Sequence, residues 1–343
     1  MEYRHRKTVE ISNKLIETNG VVPVFGDVFH GSEYLEVVRA GNINEHDTAI
    51  LFSLDGAQLY RSKESDCWFF VWIVLNLAPE LRYKKKHILP VGFVPGPNKP
   101  DNIESFILPS FRHLSALQKD GLMIWHGGLQ KTIKTRPFFM YATADTLALP
   151  IISGLVGHSG SHGCRLYCGF RSRNKPRHPT YYPAALKPDI SDPQYKCGFP
   201  DFDMQMLGSP DPSMYYRNLC KVLQSSTQAA YNRVRLETGI VRPSLCLGLD
   251  RNSTLPVPSC FPLDLMHLAS LNIPQHLIEI WRGSVDGLRN GDHEFVVLKD
   301  DAIWQEHGAL VASMRCYLPD SFSRPPRNPA EKINTQYKAT EFL

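Results

Sequence analysis

DTAILFSLDGAQLY, residues 47–60, is an apolar stretch on which the architecture of the chain turns. An apolar, strand-like run carries one acidic residue, Asp55, immediately before a glycine. Burying a polar group without a partner costs about 2–7 kcal/mol, and an ionised carboxylate costs more, so Asp55 needs compensating hydrogen bonds, a cation or a metal. Two readings follow. Asp-Gly is the commonest short hairpin signal. Alternatively, Asp55 is a metal-binding carboxylate on the first strand of a nuclease-like sheet.

Working outward, residues 50–54, 67–77 and 87–94 are apolar runs bounded by turn residues or charges, and three such runs in succession predict a meander. Asp101 then reads as the N-cap of a helix reaching Leu117, with Ile103, Phe106, Ile107, Phe111 and Leu114 at helical spacing and Pro109 as a point of kinking. Residues 137–145 predict a further strand that ends at a second acid, Asp145, and runs into a short helix. Other predicted helices cover 9–17, 32–40 and 214–237. Residues 262–281 carry Leu263, Leu265, Leu268, Leu271, Leu277 and Ile280 and predict a buried helix broken at Pro274. The expected fold class is α/β: a mixed sheet of about five strands with flanking helices, followed by a helical region. The expected divisions are a lead-in at 1–46, a core at 47–187, an irregular connection with one helix at 188–262, and a helical segment at 263–343.

Composition narrows the function classes. With 343 residues and 43% hydrophobic content, the chain can bury a sizeable core. No apolar run reaches the roughly 20 residues of a membrane span, and residues 1–14 are charged and polar, unlike a signal peptide. Eight scattered cysteines lack the density of a disulfide scaffold. There is no internal repeat and no glycine-rich phosphate loop, which sets nucleotide-dependent kinases and dehydrogenases aside. Ser159 and Ser161 lie in GLVGHSGSHG, which lacks the strand-to-helix elbow of a serine hydrolase.

Three features carry chemistry. Asp55 and Asp145 each end an apolar strand-like run, the placement from which carboxylates hold two divalent cations for phosphoryl transfer. The net charge is only +4, but basic residues cluster at Lys84, Lys85 and Lys86, at Lys131, Lys134 and Arg136, and at Arg165, Arg171, Arg173, Lys175 and Arg177. The last cluster lies within residues 164–187, which hold no acidic residue and interleave Tyr167, Phe170, Tyr181 and Tyr182, so it reads as a phosphate-contacting surface or as a solvated loop. Cys164 and Cys168, with Asp264 and His267 far downstream and His158 and His162 nearby, read as a zinc site or as buried unliganded thiols.

The runs DTAILFSLDGAQLY, WIVLNLAPELRYKKKHILPVGFVPGPNKPDNIESFILP, FFMYATADTLALPIISGLVGHSGSHGCRLYC and FPLDLMHLASLN, in that order, resemble the transposases of CACTA (En/Spm-type) DNA transposons, in versions common in fungal genomes. The likeness runs from about residue 47 to the end of the chain. It implies an RNase H-like core followed by a helical insertion region, a DDE triad with two Mg²⁺ or Mn²⁺ ions, and cutting and joining of double-stranded DNA at transposon ends and target, in the nucleus, with a homo-oligomer possible and no membrane partner. On the matching positions the first acid is Asp55 and the second Asp145. The family's cysteine pair falls on Cys164 and Cys168, and its Asp-x-x-His motif on Asp264 and His267, which would support the fold or bind Zn²⁺. Here one more residue separates the cysteines than the family's pattern has. The third acid would lie beyond residue 343, with Asp264 as the internal substitute.

Two other readings stand beside an active transposase core: a catalytically inactive, truncated relic that at most binds DNA without sequence preference, and a two-metal hydrolase of small phosphoesters.

Overall fold

The computed structural model describes residues 2–58, 66–96, 100, 102–174, 180–182, 201–206, 211–284, 292–319 and 325–332. Asp101, Lys175, Arg177 and most of residues 188–212, the first part of the expected irregular connection, lie outside them. The chain is mixed α/β and divides into two units, Met1–Leu263 and Asp264–Leu343.

In the first unit, α1 (Glu2–Glu17) buries Arg4, Thr8 and Ile11 along one stripe, and α2 (Ser32–Arg39) buries Tyr34. Arg4 sits almost fully inside because its guanidinium donates to Tyr34 Oη at 2.9 Å and to the Glu45 carbonyl at 2.8 Å. The expected meander forms as β1 (Thr48–Gln58), β2 (Asp66–Val74) and β3 (Ile88–Pro95), each antiparallel to the next. A short α3 (Pro79–Arg82) joins β2 to β3. Its Arg82 meets Asp27 at 3.0 Å in an ion pair whose two side chains are only 3% and 2% exposed.

The helix α4 (Glu104–Asp120) follows and passes through Pro109, whose ring lies on the exposed side. Its buried positions Ile107, Phe111, Leu114 and Gln118 recur at helical spacing, so one face covers the sheet. Phe111 stands at its centre, with ring centroids 5.1 Å from Phe52 on β1 and 5.6 Å from Trp72 on β2. A hairpin that sequence reasoning did not foresee comes next, β4 (Leu122–His126) and β5 (Lys131–Thr135). β6 (Pro137–Ala144) then returns and pairs with β1 in parallel, giving the order β3-β2-β1-β6. It leads into α5 (Leu149–Ser153).

The sheet has four strands where about five were expected. On the outer edge of β6 stands an irregular segment: Thr254 bridges Phe139 in parallel, the Leu255 N–H donates to the Phe139 carbonyl at 2.9 Å, and the Ala142 N–H donates to the Cys260 carbonyl at 2.8 Å. Buried Gln118 fixes this segment by donating to the Ser253 carbonyl and accepting from the Asp250 N–H. Three prolines, Pro256, Pro258 and Pro262, remove backbone donors here and prevent a regular ladder.

A two-residue pair, β7 (Arg173–Asn174) with β8 (Tyr181–Tyr182), precedes α6 (Pro212–Leu223) and α7 (Gln228–Thr238). The single helix expected over 214–237 is therefore two. Thr227 ends the break by accepting the Ala230 N–H at 3.1 Å as the N-cap of α7.

The second unit contains α8 (Leu265–His267), a π-helical turn (Leu268–Asn272), α9 (Ile273–Arg282), α10 (Asp301–Ser313) and α11 (Pro329–Lys332). Pro274 does not break the helix. It occupies the first turn of α9, where its missing N–H costs nothing, and the wider π turn precedes it. Nor is this stretch buried: α9 has no buried residue, and Leu263, Leu265 and Leu268 are all exposed. Periodicity marks an apolar face, and whether that face is covered depends on what packs there.

Candidate functional site

The parallel register of β1 and β6 ends at Leu54 opposite Ala144, and the next residues on the two chains are Asp55 and Asp145. Neighbouring strands run about 4.8 Å apart, so both acids reach the same end of the sheet side by side. Leu54 and Ala144 are buried, whereas Asp55 is exposed and Asp145 half-buried. The carboxylates therefore avoid the desolvation cost that an interior strand position would impose.

Each acid is oriented locally. Asp55 Oδ1 accepts the Gly56 N–H at 2.8 Å. The Asp-Gly pair does not turn the chain, because β1 continues to Gln58 with Asp55 opposite Phe69 and Gly56 opposite Trp68 on β2. Asp145 Oδ1 accepts two N–H groups, from Leu147 at 3.0 Å and Ala148 at 2.6 Å, which fixes the turn into α5 and leaves Oδ2 outside that turn. Two carboxylates side by side where the β1–β6 pairing ends are hard oxygen donors, a type suited to a divalent cation. Among the described residues, no group of three or more His, Cys, Asp or Glu side chains is arranged to hold a metal.

The basic residues separate into different environments. Lys84, Lys85 and Lys86 precede β3, whose first residue pairs with Ile73 at the far end of β2 from Asp55. Lys131 and Lys134 lie on β5, and Arg136 joins it to β6. Thr135 Oγ1 meets Thr48 Oγ1 at 2.8 Å at the start of β1. All six residues are exposed. They flank the end of the sheet opposite the acids, and Thr48 to Asp55 spans about 23 Å of strand.

The third cluster is more embedded than its charge suggested. Arg173 is 2% exposed and pairs with Asp201 at 3.4 Å, so it is a structural guanidinium and not a surface cation. Half-buried Arg165 donates to the Pro262 carbonyl at 3.2 Å, and Arg171 to Ser161 Oγ at 3.1 Å.

A cleft of about 470 Å³ opens beside the Asp145 turn, and sequence reasoning missed it. Leu147, Ile151, His162, Tyr181, Arg235 and Arg242 line it. Arg242 is paired with Glu104 and donates to the Ile151 carbonyl. No local motif announces a cleft whose walls come from residues so far apart in the chain.

The cysteine and Asp-x-x-His elements fall in different units. Asp264 Oδ1 accepts the His267 N–H at 3.1 Å as the N-cap of α8, and its Oδ2 meets His267 Nδ1 at 2.6 Å, so this pair satisfies its own polar groups. Cys164 and Cys168 line a cavity of about 110 Å³. The Cys168 thiol, donating to Cys164, draws the Cys164 pKa down to about 6, and the same bond, together with burial, pushes Cys168 up. Burial, and then the nearby Arg171, lower the pKa of His162.

No protein-family model matches the sequence, and comparison with curated proteins finds no significant match. No helix among the described residues is long and apolar enough to cross a membrane.

Proposed function

We propose that the chain is the catalytic core of a CACTA-type DNA transposase, with an RNase H-like fold, acting in the nucleus on double-stranded DNA at transposon ends and target. The observation that carries the reading is the in-register delivery of Asp55 and Asp145 to one end of adjacent parallel strands. The sheet order supports it, because an RNase H-like core is built on a meander whose next strand lies parallel to the first.

In this reading Asp55 and Asp145 hold Mg²⁺ or Mn²⁺. When bound, such a pair of ions activates the attacking oxygen and stabilises the leaving oxygen of a phosphodiester. The protein's share is positioning. The β1–β6 pairing sets the spacing of the carboxylates, and the two N–H groups of the α5 turn hold Asp145 in one orientation. Lys84, Lys85, Lys86, Lys131, Lys134 and Arg136 neutralise phosphates away from the reacting bond. The strand length between them and the acids corresponds to about seven base pairs at about 3.4 Å each.

The test is nicking of duplex DNA carrying the transposon ends in Mn²⁺, comparing wild type with Asp55→Asn and Asp145→Asn. Divalent-dependent cleavage lost in both variants is expected. Cleavage that persists in both overturns the assignment. Salt-dependent DNA binding without cleavage in the wild type assigns the chain to the inactive relic.

A further inference from the structure

We propose that Cys164 and Cys168 form a redox-sensitive dithiol, closed to a disulfide by hydroperoxides and reopened by thiols, in the loop that walls the cleft beside Asp145. This does not depend on the DNA reading.

The turn is built to hold two sulfurs together. The Tyr167 N–H donates to the Cys164 carbonyl at 3.0 Å, and left-handed backbone at Tyr167 (φ 53°) and Gly169 (φ 80°) folds the chain back. Tyr167 is anchored from outside: its hydroxyl donates to the Thr238 carbonyl at 2.7 Å and accepts from Asn218 at 2.9 Å. Its ring packs edge-on against Tyr215. Tyr167, one of the three residues between the cysteines, is thus tied to α6 and α7, while both thiols face one small cavity.

The pair has the asymmetry that thiol oxidation needs. Cys164 accepts from the Cys168 thiol and from the N–H groups of Cys168, Leu166 and Tyr167, so it is the thiolate near neutrality. The titratable side chains sharing the cavity are His162, whose pKa burial and then Arg171 lower, and Tyr167 and Glu237. Both cysteines are partly exposed. A second thiol pair, Cys246 with Cys260, is also in hydrogen-bond contact but fully buried, which makes it an internal control closed to the oxidant. His162 lines both the thiol cavity and the larger cleft, so closing the 164–168 turn acts two residues from the cleft wall.

The chemistry balances. The Cys164 thiolate attacks one peroxide oxygen, the O–O bond breaks, and a sulfenic acid and hydroxide form, the hydroxide taking a proton to become water. Cys168 sulfur then attacks the sulfenic sulfur. Its thiol proton leaves with the departing hydroxide as a second water. Two thiols have lost two electrons to one peroxide.

The experiment treats the full chain with hydrogen peroxide at neutral pH, alkylates remaining thiols and digests with trypsin. Cleavage after Arg165, between the two cysteines, turns the crosslink into two peptides joined by a disulfide. Joined peptides that dithiothreitol separates, with Cys246 and Cys260 still alkylatable after unfolding, are expected. Cys168→Ser should instead leave Cys164 as a sulfenic acid trapped by dimedone. Four outcomes overturn the proposal: unreacted thiols, direct progression of wild-type Cys164 to sulfinic acid, linkage to another cysteine, or protection of both thiols by stoichiometric Zn²⁺, which marks them as metal ligands.

Discussion

Substituting Asp145 separates its role in the turn from the metal-binding role proposed for it, because Oδ1 accepts the turn's N–H groups and Oδ2 lies outside that turn. Asp145→Ala removes the acceptor of the Leu147 and Ala148 N–H groups. Its cost without metal is about 1–2 kcal/mol, the scale of a lost cap or charged hydrogen bond. Asp145→Asn keeps an oxygen for both N–H groups and should cost less than about 1 kcal/mol. The charge is gone in either case. If Asp55 and Asp145 hold Mg²⁺, wild type gains about 2.7 kcal/mol at a hundredfold excess of free ion over Kd. That corresponds to a rise in Tm of about 5–10 °C for a unit of this size. The assay is thermal unfolding followed by tryptophan fluorescence, to which Trp68 and Trp72 on β2 contribute, with MgCl₂ against NaCl of equal ionic strength. Wild type should gain, and Asp145→Asn should start near wild type and gain nothing. An equal gain in Asp145→Asn refutes the metal assignment. An Asp145→Ala protein as stable as wild type without metal refutes the role of the turn.

Asp27→Ala strands the buried Arg82 guanidinium and should cost about 3–5 kcal/mol by urea unfolding; a loss under about 1 kcal/mol would contradict the ion pair's burial. Gly154 has φ +69° and a Cβ there would strike the Arg242 carbonyl, whereas Gly20 at φ +89° has open space, so Gly154→Ala should destabilise by about 1–3 kcal/mol and clearly more than Gly20→Ala. The Cys164 thiol is drawn down to about 6, so its alkylation by iodoacetamide should rise as pH climbs through that value and level off by about pH 7. A midpoint near the ordinary thiol value of about 8.5 would contradict the hydrogen-bonded turn. Replacing Lys84, Lys85 and Lys86 by alanine should flatten the salt dependence of duplex binding by about 0.9 per lost phosphate contact while leaving the Mg²⁺-linked gain in Tm unchanged; an unaltered slope would remove these residues from the DNA surface.

The elements with short-range signals were legible in the residues alone. Alternating or continuous apolar runs produced the meander and β6, and helical spacing in Ile107, Phe111 and Leu114 produced α4 with its buried face. The sequence also named Asp55 and Asp145 as acids closing apolar runs. It did not reveal the β4–β5 hairpin, because LMIWH and KTIKT are brief, half-exposed strands joined by a turn without the usual Asn-Gly or Asp-Gly pair. Nor did it distinguish a buried cation from a solvated one: Arg173 and Arg171 look alike in the chain, yet only Arg173 is enclosed and paired with Asp201.

What depends on partners distant in sequence emerged only in the folded chain. Asp55 and Asp145 are neighbours solely because β6 pairs with β1 in parallel and in that register; a one-residue slip would have turned one carboxylate toward the core face. The β2–β3 pairing sends Lys84, Lys85 and Lys86, and the β1–β6 pairing sends Arg136 with Lys131 and Lys134 on the preceding β5, to the opposite end of the sheet, where no reading of charge along the chain would place them. Strand register is a sum of many weak contacts across the sheet, so the identity of the two acids was written locally and their proximity was not.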